Sequence, residues 1–215
     1  MCGSFSLGNI VWDQAVRLYP AMPSVPLWGP VFRIVPGTDV PVFSSAGIYP
    51  ARWGFLPPGD LTGGKAMINA RSETATEKPS FRLAMRSGRC LVPANGYFEW
   101  KRDEAAKIPH YIFTASPMFF MAGILDGRGG FALLTRAASP ELAVIHDRMP
   151  VIARPDTAGE WLGPDTDRAF AFITRAMISG FKFHRVSRDI YRRDVRDPAI
   201  VEPDLTVLPE QGSLF

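Results

Sequence analysis

The chain has little of what marks a secreted, membrane or metal-dependent protein. Its 215 residues include two cysteines, Cys2 and Cys90, too few for a disulfide framework. With three histidines they show no zinc-ligand spacing, so no metal and no cofactor is expected. No apolar run reaches the roughly 18 residues of a spanning helix. The N-terminus lacks the basic and apolar regions of a secretory signal. Repeats, low-complexity tracts and a nucleotide-binding loop are also missing. Together these absences point to a cytoplasmic protein in a reducing setting, with no membrane partner. Nothing in the pattern demands more than a monomer.

What is there begins with charge. The net charge of +3 conceals an asymmetry. Residues 65–102 and 175–196 each carry a local +5, and the remainder carries about −7. Two basic stretches on an acidic body suit a polyanion-binding face. Arginines outnumber lysines 19 to 5, and guanidinium is the better bidentate partner for phosphate.

Twenty prolines and nineteen glycines imply many short elements. Aromatic or β-branched runs bounded by Gly or Pro predict strands at 31–35, 89–92, 97–100, 111–113, 119–122 and 131–134. Short helices are expected over 81–86, with Ser80 as N-cap and Gly88 past the end, and over 156–162 and 167–178. Strands with interspersed short helices argue for an α+β domain rather than a doubly wound fold. One domain is expected over 1–200, with 201–215 as a C-terminal tail.

Four segments concentrate chemistry. Met1-Cys2-Gly3 places a cysteine where removal of Met1 would expose it. An N-terminal cysteine carries an amine (reference pKa near 7.7–8.0) beside a thiol (near 8.5). Such a pair traps aldehydes, the amine as an imine and the thiol by closing a thiazolidine. Residues 69–74, Asn-Ala-Arg-Ser-Glu-Thr, crowd polar side chains behind an apolar run; Asn69 or Ser72 could equally cap a helix. In Tyr97-Phe98-Glu99-Trp100 a carboxylate sits among aromatics, where desolvation would raise its pKa toward that of a general acid/base. An outward-facing Glu99 is the plainer alternative. His146, between apolar runs and beside Asp147 and Arg148, suits proton transfer near neutral pH, or a structural role. His110 and His184 lack such company and read as structural.

These motifs, with Arg89–Trp100, His146–Ile152, Trp53–Pro57 and Leu134–Ala138, resemble the SRAP family, the SOS-response-associated peptidases that process abasic sites in DNA. The resemblance runs from residue 1 to about 190. It implies a compact α+β domain with a curved, barrel-like sheet of mixed or antiparallel strands. It implies covalent capture of the ring-opened aldehyde of an abasic site in single-stranded DNA. Cys2 would be the nucleophile, Asn69 would orient it, Glu99 would move protons and His146 would act on the sugar or a phosphate. Arg71, Ser72, Thr135 and Arg148 would contact DNA, and Trp53 or Trp100 would wedge or stack beside the missing base. Glu73 and Thr74 would brace their loop. The chain departs from the pattern at Ser4, where arginine is common, around Phe32–Pro36, and at Tyr191, where asparagine is usual. Serine at position 4 cannot hold a phosphate as arginine would, and Arg33 or Arg86 could do so in its place. Two other readings fit the same residue types: a thiol peptidase using Cys2 and His146, and a non-catalytic single-strand binder.

Overall fold

The computed structural model describes residues 2–8, 28–60, 64–102, 107–175 and 178–206. The chain is a single α+β domain, its described residues forming thirteen strands in two sheets and four short α-helices. In chain order the strands are β1 (Ser4–Leu7), β2 (Val31–Ile34), β3 (Asp39–Ser44), β4 (Gly47–Trp53), β5 (Asn69–Arg71), β6 (Arg89–Ala94), β7 (Gly96–Arg102), β8 (Lys107–Phe113), β9 (Phe119–Leu125), β10 (Gly130–Ala137), β11 (Arg148–Pro150), β12 (Ile152–Ala153) and β13 (Lys182–Arg185). The helices are α1 (Ser72–Ala75), α2 (Arg82–Ser87), α3 (Gly159–Leu162) and α4 (Thr166–Arg175). Two 3-10 turns, Arg188–Tyr191 and Pro198–Val201, follow β13.

The smaller sheet has the order β13-β8-β7-β1-β2, with every pairing antiparallel. The N-terminal strand is therefore an interior strand, placed between β7 and β2. The larger sheet runs β11-β10-β4-β3-β6-β9-β12, with β5 paired to β10 and a further β9–β10 pairing. Its pairings follow a ring from β10 through β4, β3, β6 and β9 back to β10. Most are antiparallel; β4 and β5 meet β10 in parallel, so the sheet is mixed.

All six expected strands fall on observed ones. The helices shift. Ser80 does not cap α2: Phe81 stands at the N-cap without a side-chain bond, while Gly88 ends the helix as expected. Helix α3 forms only over the second half of 156–162, and α4 begins at Thr166, where Asp165 Oδ1 accepts the N–H groups of Asp167 and Arg168. No side chain caps α1; its N-cap is Arg71. Of the expected tail, residues 201–206 dock on β13, where His184 Nε2 bonds Val201 O at 2.8 Å and Asp204 N–H donates to Arg185 O. The rest of it lies outside the described residues. No described helix is long and apolar enough to cross a membrane.

One core lies between the sheets and includes Cys2, Phe5, Trp53, Tyr97 and Phe131. A smaller cluster, with Phe32, Phe98, Tyr111 and Ile190, covers the reverse face of the smaller sheet. Strand alternation divides β7 between them: Tyr97 and Glu99 face inward, Phe98 and Trp100 outward. Gly96 opens this strand because a Cβ there would enter the Tyr111 ring. That ring's hydroxyl pairs with Ser6 Oγ at 2.7 Å, tying β8 to β1 across β7.

Candidate active site

Cys2 is fully buried, two residues ahead of β1. Its register follows from the pairing Ser4↔Phe98 and Phe5↔Tyr97, which carries the chain start toward Glu99 and Trp100. The side-chain amide of Asn69 donates to Cys2 O at 2.8 Å. Asn69 is held from beneath. It opens β5, pairs in parallel with Leu133, and follows Ile68, whose carbonyl accepts the Trp53 indole N–H at 2.9 Å. The structure thus joins residues 2 and 69, and leaves Asn69 Oδ1 buried with no partner among the described residues.

Glu99 is 2% exposed. Burial is the main force raising its pKa from 4.5 to about 7. The nearby Asp147 carboxylate adds to that rise. Both protonation states are then populated at neutral pH, as an acid that must also act as a base requires. The Cys2 thiol is pushed well up, first by burial and then by the negative charge of Glu99. Its Sγ turns to Ser4 O at 3.7 Å.

His146 is the penultimate residue of the loop that joins β10 to β11. Leu142 and Ile145 anchor this loop in the same apolar cluster as Cys2, and Ala138 N–H to Asp147 O at 2.9 Å closes its base. Two described groups compete for His146 Nδ1: the Arg148 backbone N–H at 3.0 Å and Asp147 Oδ1 at 2.9 Å. The first needs a lone pair there and the second a proton. The backbone donor is fixed and half-buried, whereas the Asp147 side chain is 85% exposed and screened. Nδ1 is therefore the acceptor, and the neutral ring carries its proton on Nε2.

The expected DNA-contacting residues divide. Arg71 is exposed, its side chain without a described partner, and Ser72 is half-buried at the start of α1. Two expectations are corrected. Trp53 is fully buried, its ring stacked on Phe131 and packed against Phe5; it supports Asn69 and presents no face to a base. Thr135 is also fully buried, its hydroxyl donating to Ala70 O at 3.4 Å. Arg148 grips Glu73 with two bonds of 2.7 and 2.8 Å and donates to Thr135 O at 2.8 Å. This pair, which lowers the Glu73 pKa to about 2, clamps α1 to β10 and β11. Trp100 is half-buried beneath Tyr191.

Tyr97 is a site residue the sequence reading missed. Its hydroxyl is buried without a described partner, and its pKa is raised by burial and then by Cys2 and Glu99. The signal was its spacing: two residues before Glu99 on a strand is the same face. Among the described residues no group of His, Cys, Asp and Glu has metal-ligand arrangement.

Fold and site together define a mixed α+β domain that presents a cysteine near its amino end to an asparagine, a poised glutamate and a tyrosine, beside a histidine loop. The chain belongs to the SOS response associated peptidase (SRAP) family, whose model matches residues 1–193. It is 35% identical over 182 residues to the abasic site processing protein YoaM of Bacillus subtilis, covering 76% of this chain and 80% of that one. It is 30% identical over 188 residues to the abasic site processing protein YedK of Escherichia coli, covering 80% and 84%. A crystal structure of a Bacteroides thetaiotaomicron protein superimposes with a TM-score of 0.78 at 26% identity, over 95% of this chain and all of that one.

Proposed function

We propose that this chain processes abasic sites by capturing their ring-opened aldehyde in single-stranded DNA as a thiazolidine on Cys2, once Met1 has been removed. The observation that carries the reading is Glu99, buried close enough to Cys2 for its charge to act on the thiol and held near pKa 7. The similarity to proteins named for abasic site processing supports the substrate.

The Cys2 amine adds to the aldehyde carbon, and the carbonyl oxygen becomes a hydroxyl. Protonated Glu99 delivers a proton to that hydroxyl; water leaves and an imine forms. The Cys2 sulfur then adds to the imine carbon. Its proton passes to the Glu99 carboxylate, and the imine nitrogen becomes the ring amine. One water is lost overall. The raised thiol pKa gives this order, because the amine is the readier nucleophile and the thiol needs a base as it attacks. Asn69 holds the Cys2 carbonyl, while its free Oδ1 and the Tyr97 hydroxyl offer bonds to the sugar. His146 donates from Nε2 to a sugar oxygen, and Arg71 and Ser72 take flanking phosphates. Lyase cleavage would proceed from the same imine. The acting unit is the domain over residues 1–200, working as a monomer.

A cysteine peptidase needs a thiolate, and the burial of Cys2 opposes one. The test is intact mass after incubation with a uracil-containing single strand pretreated with uracil-DNA glycosylase. Wild type with Met1 removed should gain the strand's mass less one water, and Cys2→Ala should gain nothing. An equal adduct on Cys2→Ala would refute the nucleophile.

A further inference from the structure

On the reverse face of the smaller sheet, three side chains stack outward to solvent. Trp100 and Tyr191 lie ring on ring, with centroids 6.3 Å apart and planes 26° from parallel. The Arg33 guanidinium stands over the same Tyr191 ring at 5.2 Å. Tyr191 is 58% exposed, an unusual cost for a large ring at the end of a 3-10 turn whose neighbour Ile190 is fully buried. The turn is well fixed. Ser187 Oγ accepts the Asp189 N–H, and Val195 O accepts the N–H groups of Phe32 and Arg33. The ring is therefore held outward by the fold rather than left there by a loose segment.

The surroundings are cationic. Arg188, Arg192, Arg193 and Arg196 are exposed on the same segment, against Asp189 and Asp194, and Arg193 is paired to Asp197 at 2.9 Å. Arg33 Nε and Trp100 Nε1 flank the ring as buried donors with no partner among the described residues. The place adjoins the candidate active site through the strands. Trp100 follows Glu99 on β7 with its side chain on the opposite face, and Ser4 Oγ donates to Ile34 O beside Arg33. Arg33 and Tyr191, both at departures from the family pattern, meet here. Neither Trp100 alone nor Arg33 alone forms the platform: Trp100 backs Tyr191, and Tyr191 presents the open ring.

We infer that Tyr191, backed by Trp100 and edged by Arg33, is a stacking platform for an unpaired base of a single DNA strand flanking the site. An exposed aromatic within an arginine cluster matches the two features such a strand offers, a π-face and a phosphate. The inference rests on the single-strand reading above but does not need the covalent step.

The test is therefore equilibrium binding of a fluorescent, undamaged single-stranded oligonucleotide to the full chain. Tyr191→Ala should weaken binding roughly tenfold, the effect of losing one stacked base. Tyr191→Phe should bind like wild type, and thermal melting of both variants should match it. In a second series, one tetrahydrofuran abasic analogue fixes the register at the site and a propanediol spacer replaces each flanking base in turn. At one position the spacer should weaken wild type as Tyr191→Ala does, and the two losses should not add. Equal binding of Tyr191→Ala and wild type would overturn the platform, as would additive losses at every position. Failure of the aldehyde adduct alongside intact binding would overturn the proposed chemistry and leave the platform standing.

Discussion

Replacing Glu99 by glutamine should make the protein more stable as it makes it less reactive. In the folded chain this carboxyl holds its proton up to about pH 7, against 4.5 for the ordinary group. Between those values the folded state binds more protons than the unfolded one, so stability falls as pH rises through that window. Above pH 7 both states are ionised and the loss is complete. Each pKa unit is worth about 1.4 kcal/mol, so the full penalty is on the order of 3 kcal/mol. Glutamine has nearly the same shape and no charge to bury. In urea titrations of wild type and Glu99→Gln, the two should agree near pH 4.5 and diverge until Glu99→Gln leads by up to about 3 kcal/mol at pH 8. The adduct-forming rate of Glu99→Gln should be low throughout. A constant offset between the two stability curves from pH 5 to pH 8 would refute the claim that burial holds this proton.

Two further outcomes are expected. Asn69→Ala removes the 2.8 Å bond to Cys2 O and should slow adduct formation about tenfold or more while leaving undamaged-strand affinity unchanged, as rapid-quench and anisotropy measurements would show. Trp53→Ala empties a fully buried ring from the core and should cost about 3–5 kcal/mol in a denaturant melt; a loss confined to DNA binding would contradict its placement.

Among the strands that could be read from sequence, β9 and β10 have continuous apolar runs. They are buried on both faces, so no polar alternation interrupts them. Strands β3 and β4 were hidden by Pro41 and Pro50. These prolines lie directly opposite each other, and neither has an N–H to give. A proline pair can occupy only a rung without ladder bonds, so the hairpin loses nothing by containing them. Strand β1 is short and half serine; its burial comes from neighbours far along the chain. Of the candidate site, the fold brings Cys2, Asn69 and Glu99 together, residues that stand far apart in the sequence. Trp53 was misread because a tryptophan before a glycine looks the same in sequence whether it faces solvent or core. Arg148 reads in sequence as a cation for DNA, and its bidentate grip on Glu73 was hidden because it depends on α1 and β11 meeting across β10.

The interior position of β1 has a mechanical meaning. Anything attached at residue 2 pulls on a strand bonded on both sides, to β7 and to β2. Tension along that strand must shear two ladders at once, whereas an edge strand or a dangling arm would peel one bond at a time. The fold anchors its own beginning as a rope is anchored in a splice, so a load hung from the first residues is shared across the sheet.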